Sequence, residues 1–355
     1  MEFLTEYGAF LLKAITIVIA ILIVVGGIVS IGARQKSSNE GELSIKKLND
    51  ELEEHKEQLE DALLDKQLLK QMAKEKKKED KEKEKTAKKA AKNKAEDSPA
   101  ETAKRVFVLD FDGDIKASDV DLLRQEITAV LTLAQASDEV VVTLESGGGM
   151  VHSYGLAASQ LQRIRDKGIP LTVCVDKVAA SGGYMMACLA DKIVAAPFAI
   201  IGSIGVVAQL PNFNRLLKKH DVDFELFTAG EYKRTVTMFG HNSAKAKDKF
   251  QSDLEDTHEL FKGHVARYRK ALNVEAVATG DIWYGQQALE NGLIDQVGTS
   301  DDYLVAACEN AEVFSVRYEY RKTLQEKLGM AVQGGVEAAL TRLLTAAQNR
   351  MQSKG

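Results

Sequence analysis

At 355 residues, 28% of them charged, the chain is longer than one typical domain, yet its N-terminal third carries no globular pattern, so one compact body behind a non-globular segment fits better than two domains. The formal net charge of −5 gives no electrostatic case for nucleic acid, and none is expected as a partner. Cys174, Cys188 and Cys308 are odd in number and lack metal-ligand spacing, and two of them lie in apolar runs, so neither a disulfide framework nor a metal site is expected.

The first predicted element is a membrane anchor over residues 1–33. Its 20 uncharged residues, 14–33, are dominated by Ile, Val, Leu and Ala, and as a helix they span roughly 30 Å, one bilayer core. The flanking Glu2 and Glu6 replace the basic start of a cleaved signal peptide, which favours a retained single-pass anchor in contact with the lipid bilayer. Arg34, Lys36, Lys46 and Lys47 follow the span whereas Lys13 alone precedes it, and this asymmetry places the body on the cytoplasmic side.

Residues 34–104 read as a charged helical stalk or linker. Ile45, Leu52 and Leu59 recur seven apart, with Leu48, Ala62 and Leu69 on the other seam. A short coiled coil and an amphipathic helix lying on the membrane or the body fit this spacing equally. From 70 to 94 there are 12 lysines and 5 acids without an apolar stripe, the composition of a solvated tether. Ser98-Pro99 closes it.

From Arg105 the pattern changes to short β-branched runs at 106–111, 140–144, 171–175, 193–196 and 224–227, alternating with helical periods such as 119–133 and 152–167. This predicts an α/β body with a largely parallel sheet over 105–320, followed by a C-terminal helical tail over 321–355. The apolar stretch 185–210 is interrupted by Asp191 and Lys192 and broken by Pro197, so it reads as buried helix and strand rather than a second span. Trp283 and Tyr284 open a helix and are expected to pack.

Within this body, Val178-Ala-Ala-Ser181-Gly-Gly-Tyr184 sets small residues before a serine and glycines after it, which lets the backbone turn sharply and expose the hydroxyl. A serine nucleophile needs a base. None of the six histidines lies between Ser181 and Lys219, and His152, after the glycine cluster Glu145-Ser-Gly-Gly-Gly149, reads as a core or surface histidine. A lysine can serve if burial lowers its pKa by roughly two to three units, and Lys233 lies 233 − 181 = 52 residues on.

The run Asp176-Lys-Val-Ala-Ala-Ser181-Gly-Gly-Tyr-Met-Met-Ala-Cys-Leu-Ala-Asp-Lys-Ile-Val-Ala-Ala-Pro197, then Gly202-Ser-Ile-Gly-Val206, closely resembles the signal peptide peptidase A family. Leu156-Ala-Ala-Ser-Gln-Leu-Gln-Arg163, Trp283-Tyr-Gly-Gln-Gln-Ala288 and Gly292-Leu-Ile-Asp295 extend the likeness over nearly the whole chain. The resemblance implies a ClpP/crotonase-like fold of repeated β-β-α units and a serine endopeptidase of the bacterial inner membrane that uses no cofactor. In it Ser181 is the nucleophile, Lys233 the base, Ser203 the residue orienting that base, and the Gly148 and Gly182 amides the oxyanion hole. It further implies peptide substrates and a homo-oligomeric ring whose sites are shared between protomers. Relatives work on the periplasmic side, against the charge asymmetry. Ser146 stands where the family pattern has proline, which predicts a looser turn. A crotonase-type acyl-CoA enzyme and an inactive membrane scaffold are the competing readings.

Overall fold

The computed structural model describes residues 41–65 and 104–320, with the isolated positions 16, 67–69, 71, 74 and 78. All of the expected anchor at 14–33 but position 16, nearly all of the lysine-rich run and the tail 321–355 lie outside the described residues. Among the described residues no helix is long and apolar enough to cross a membrane.

In chain order the elements are β1 (Gly41–Lys47), α1 (Leu48–Leu63), β2 (Arg105–Gly113), α2 (Val120–Leu133), β3 (Glu139–Ser146), α3 (Val151–Asp166), β4 (Leu171–Val175) and β5 (Val178–Ala180). There follow α4 (Gly182–Ala187), β6 (Lys192–Ala195), β7 (Ile200–Gly202), α5 (Asn214–Lys219), α6 (Ala244–Tyr268) and α7 (Val274–Val277). The last are β8 (Ile282–Tyr284), α8 (Gly285–Glu290), β9 (Gln296–Val297), α9 (Ser300–Asn310) and β10 (Glu312–Tyr320).

The sheet runs β1-β10-β2-β3-β4-β6-β9, with β5 branching from β3 and carrying β7 and β8 beyond it. The pairings from β10 to β9 are parallel, as are β3–β5 and β5–β7, while β7–β8 is antiparallel. The central strands are apolar on both faces because both faces are covered. On one side Val120, Leu123, Ile127 and Val130 of α2, spaced three or four apart, pack into the main core together with Tyr154, Leu161 and Ile164 of α3. On the other side Val106, Val108, Val141, Cys174 and Val194 are roofed by Leu304, Ala307 and Cys308 of α9 and by Leu48.

Ile45 lies in strand β1, so the heptad seam loses its first residue, and α1 buries no side chain among the described residues. One expectation fails here. Residues 224–227 are exposed and form no strand: Phe224 and Leu226 alternate with Glu225 as a strand would, but among the described residues no strand pairs with them. The Gly-Leu-Ile-Asp motif proves to be a fastening. Asp295 accepts the Ile193 N–H at 2.7 Å and both prongs of the Arg269 guanidinium at 2.8 and 2.9 Å, tying the end of α6 to the sheet.

Glu126 of α2 accepts the Tyr318 N–H of β10 at 2.8 Å with Oε1, whereas its buried Oε2 has no partner among the described residues. Burial first, with Asp110 and Asp119 nearby, pushes this carboxyl up to about 7, against the Tyr318 N–H and Arg317. The unfolded chain therefore releases the Glu126 proton near pH 4.5 while the folded chain still holds it, so stability falls as pH rises from about 5 to 7. Glu126→Gln, neutral at every pH, should remove this decline, and its advantage over wild type in denaturant midpoint should grow by roughly 1–3 kcal/mol between pH 5 and pH 8. A pH-independent difference would show that Glu126 is ionised in the fold.

Candidate active site

The site grows from the branch of the sheet. β5 is held between β3, through Ser146 and Ala179, and β7, whose Gly202 pairs with Ala180. Ser181 and Ser203 are the residues that follow this last pair, and both have positive φ, 52° and 49°. Ser181, at φ 52° and ψ −115°, is outside every well an L-residue prefers, a strain of about 1–3 kcal/mol that its neighbours enforce. Its N–H donates to Gly202 O at 2.8 Å and its carbonyl accepts from Met185 N at 2.9 Å, so strand and helix grip it on both sides. Its hydroxyl is not spent on capping α4.

Gly148, at φ 85°, meets this turn so closely that a Cβ on it would lie 2.6 Å from Gly182 N and 2.7 Å from Ser181 Cβ. Only glycine permits that approach. Its N–H, expected from the sequence to face the nucleophile, donates to Ser146 Oγ at 3.0 Å. The next amide, Gly149 N–H, has no acceptor among the described residues, and Met150 N–H goes to Ile115 O at 2.8 Å. Gly182 N–H opens α4 and so lacks an intrahelical acceptor. Nor does Ser146 loosen the turn. Its buried hydroxyl joins Gly148, Tyr154 and Gly113, and clamps the loop.

A cleft of about 850 Å³ opens over these residues, with Ser181, Ser203, Gly148, Gly149 and Gly182 in its lining. Its far wall is one face of α6, including Leu260, Phe261 and two histidines that the sequence reading passed over. A carbonyl only accepts, so both rings carry their proton on Nε2: His258 donates to Ile204 O at 3.2 Å and His264 to Met185 O at 2.9 Å. Burial holds the His264 imidazole below its usual range, in keeping with the neutral form. The two bonds fasten α6 to the segments after Ser203 and after Ser181. The signal in the sequence was the spacing of His258, Phe261 and His264, three apart on one helical face.

Lys233 is not brought to this cleft. It is exposed in a turn, its N–H donating to Gly230 O at 3.2 Å, and it is absent from the lining. The burial that a lysine base requires is therefore not supplied among the described residues. His152 is exposed on the first turn of α3, also outside the cleft.

Residues 2–161 match the model of the peptidase family S49 N-terminal region and residues 163–314 that of peptidase family S49. A probable protease SohB of Haemophilus influenzae is 52% identical over 92% of this chain and 92% of its own. The chain belongs to peptidase family S49. A second S49 relative, a probable protease SohB of Buchnera aphidicola, is 47% identical over 86% of this chain and 100% of its own length. A putative signal peptide peptidase SppA of Enterococcus faecium is 32% identical over 46% of this chain and 48% of its own. The stretch matched to peptidase family S49 contains Ser181, Ser203 and Lys233, while Gly148 falls in the N-terminal match.

Proposed function

We propose that this S49 protein is a serine endopeptidase anchored in the bacterial inner membrane through residues 14–33, built on a ClpP/crotonase-like scaffold and working as a homo-oligomer. The observation that carries this reading is Ser181 itself, held at positive φ at the floor of a cleft, with the Gly182 amide beside it. Ser181 Oγ attacks the scissile carbonyl, and the neutral amine of Lys233 from a neighbouring copy takes its proton and returns it to the leaving amine. The developing oxyanion is received by Gly182 N–H and Gly149 N–H, preorganised donors of a kind worth roughly 3–4 kcal/mol each. Gly148 sets the approach of the loop, and Ser203 orients the lysine. Water then hydrolyses the acyl-Ser181 ester. No step calls on a metal or cofactor.

The substrates we infer are membrane-derived or signal-peptide-like peptides. A bilayer tether raises their local concentration, and a relative bears the name of a signal peptide peptidase. A fluorophosphonate offered to the full chain should esterify Ser181, and Ser181→Ala should lose both the label and peptide turnover. Activity should rise with pH through a single ionisation, whereas a plateau already reached below about pH 6 would indicate a carboxylate base. Peptide turnover persisting in Ser181→Ala would overturn Ser181 as the nucleophile, whereas turnover of an acyl-CoA thioester with none of peptides would favour the crotonase-type reading.

A further inference from the structure

We infer that Tyr154, fully buried beneath the site, is a positioning residue that fixes the two oxyanion-binding backbone segments relative to each other; this rests on the serine-hydrolase reading above. Its hydroxyl donates to Asp114 O at 2.8 Å and lies 2.5 Å from Ser146 Oγ. Ser146 Oγ in turn receives the Gly148 N–H at 3.0 Å. Each hydroxyl has one proton, and Gly113 O at 3.3 Å competes with Tyr154 for that of Ser146; the shorter contacts favour the order Gly148 N–H to Ser146, Ser146 O–H to Tyr154, Tyr154 O–H to Asp114. Every member is satisfied, and bonds running head to tail polarise one another.

The other end of the same side chain supports the nucleophile turn. A Cβ on Gly182 would fall 2.4 Å from Tyr154 Cγ, so the backbone carrying that amide rests directly on the ring. One side chain thus touches both segments, the loop of Gly148 and Gly149 through its hydroxyl and Gly182 through its ring. Gly113 completes the fit, since a Cβ there would lie 2.5 Å from both Tyr154 Oη and Ser146 Oγ. Phe111 meets the ring edge-on with centroids 6.4 Å apart, which helps hold its orientation. Burial raises the pKa of the phenol, so it stays a neutral donor.

The test compares Tyr154→Phe, Ser146→Ala and the double variant with wild-type full chain, reading kcat, KM, the rate of fluorophosphonate labelling of Ser181, and Tm. Tyr154→Phe keeps the ring and loses the hydroxyl. The loop is then free to drift, and kcat and labelling should both fall ~10- to 100-fold with KM changed by less than ~3-fold. Ser146→Ala should do the same, the double variant no worse than the slower single, and Ser146→Thr, which keeps a hydroxyl, should recover most of the rate. Tyr303→Phe on the opposite face of the sheet removes a comparable hydroxyl, bonded to Glu139 at 2.5 Å, and should lower Tm without touching kcat. Should Tyr154→Phe fail to fold, the Ser146 pair carries the test. An unchanged kcat in Tyr154→Phe and Ser146→Ala, or strictly multiplying losses in the double variant, overturns the inference. Ser181→Ala separates the two levels: turnover surviving there sinks the serine-hydrolase reading, whereas turnover lost there but intact in Tyr154→Phe sinks the positioning role alone.

Discussion

Ser181→Ala is expected to lower kcat by about 10⁴-fold or more, Lys233→Ala to lower it comparably, and the double variant to be no slower than the slower single, because nucleophile and base act as a unit. The expectation for Ser181 follows from geometry. The strained backbone, the contact with Gly148 and the bond to Gly202 O all serve to place one hydroxyl in the cleft, and alanine preserves each of them while removing the hydroxyl. Tm should therefore stay within a few degrees of wild type, which makes the activity loss chemical rather than structural. Lys233→Ala shares that advantage, since the side chain is exposed in its own chain. Steady-state hydrolysis of an apolar peptide by the four proteins decides it. More than a few per cent of wild-type activity in Lys233→Ala would remove lysine from the mechanism and direct attention to His258 and His264 of α6.

The sheet was legible because burial on both faces writes continuous apolar runs. Leu171–Val175 has the very bounds that its sequence predicts, and β2 and β3 exceed their predicted runs by one or two polar residues at either end. The segment 224–227 was misread because alternation alone does not supply a neighbour. At the site, Ser181 was legible because small residues and glycines advertise a sharp turn. Gly148 was legible as a close-approach position, whereas the partner of its amide, the Ser146 hydroxyl, is a tertiary fact with no sequence period. His258 and His264 escaped because they reach the cleft across the fold, 258 − 181 = 77 and 264 − 181 = 83 residues from the nucleophile. Tyr154 looks like any core aromatic, and its link to Gly182 exists only once α3 has packed under α4.

Mixing inactive Ser181→Ala with inactive Lys233→Ala should restore activity if nucleophile and base meet across an interface. The segment carrying Lys233 points that way. Across residues 205–243 the only buried residue is Gly240, while Val207, Phe213, Phe224, Phe227 and Tyr232 are exposed; Phe213 stacks on Phe239, and Phe224 meets that ring at a tilt. So many exposed apolar side chains in one segment are the composition of an association surface. Covering it with the cleft side of a second copy would bring Lys233 toward a Ser181 whose cleft is lined by no lysine among the described residues, and would desolvate the amine as a base requires. In a closed head-to-tail ring each site takes its serine from one protomer and its lysine from the next. With random assembly at equal amounts, half the serines are intact and half the neighbouring lysines are, so about one quarter of wild-type activity should return. No other ratio can exceed this, because the product of the two fractions is greatest when they are equal. Such sharing also leaves an unassembled chain without a complete pair, which restrains proteolysis during synthesis. A dyad completed within one chain predicts no rescue at any ratio, and that result, with mixed assembly verified by differently tagged variants, would exclude the shared site.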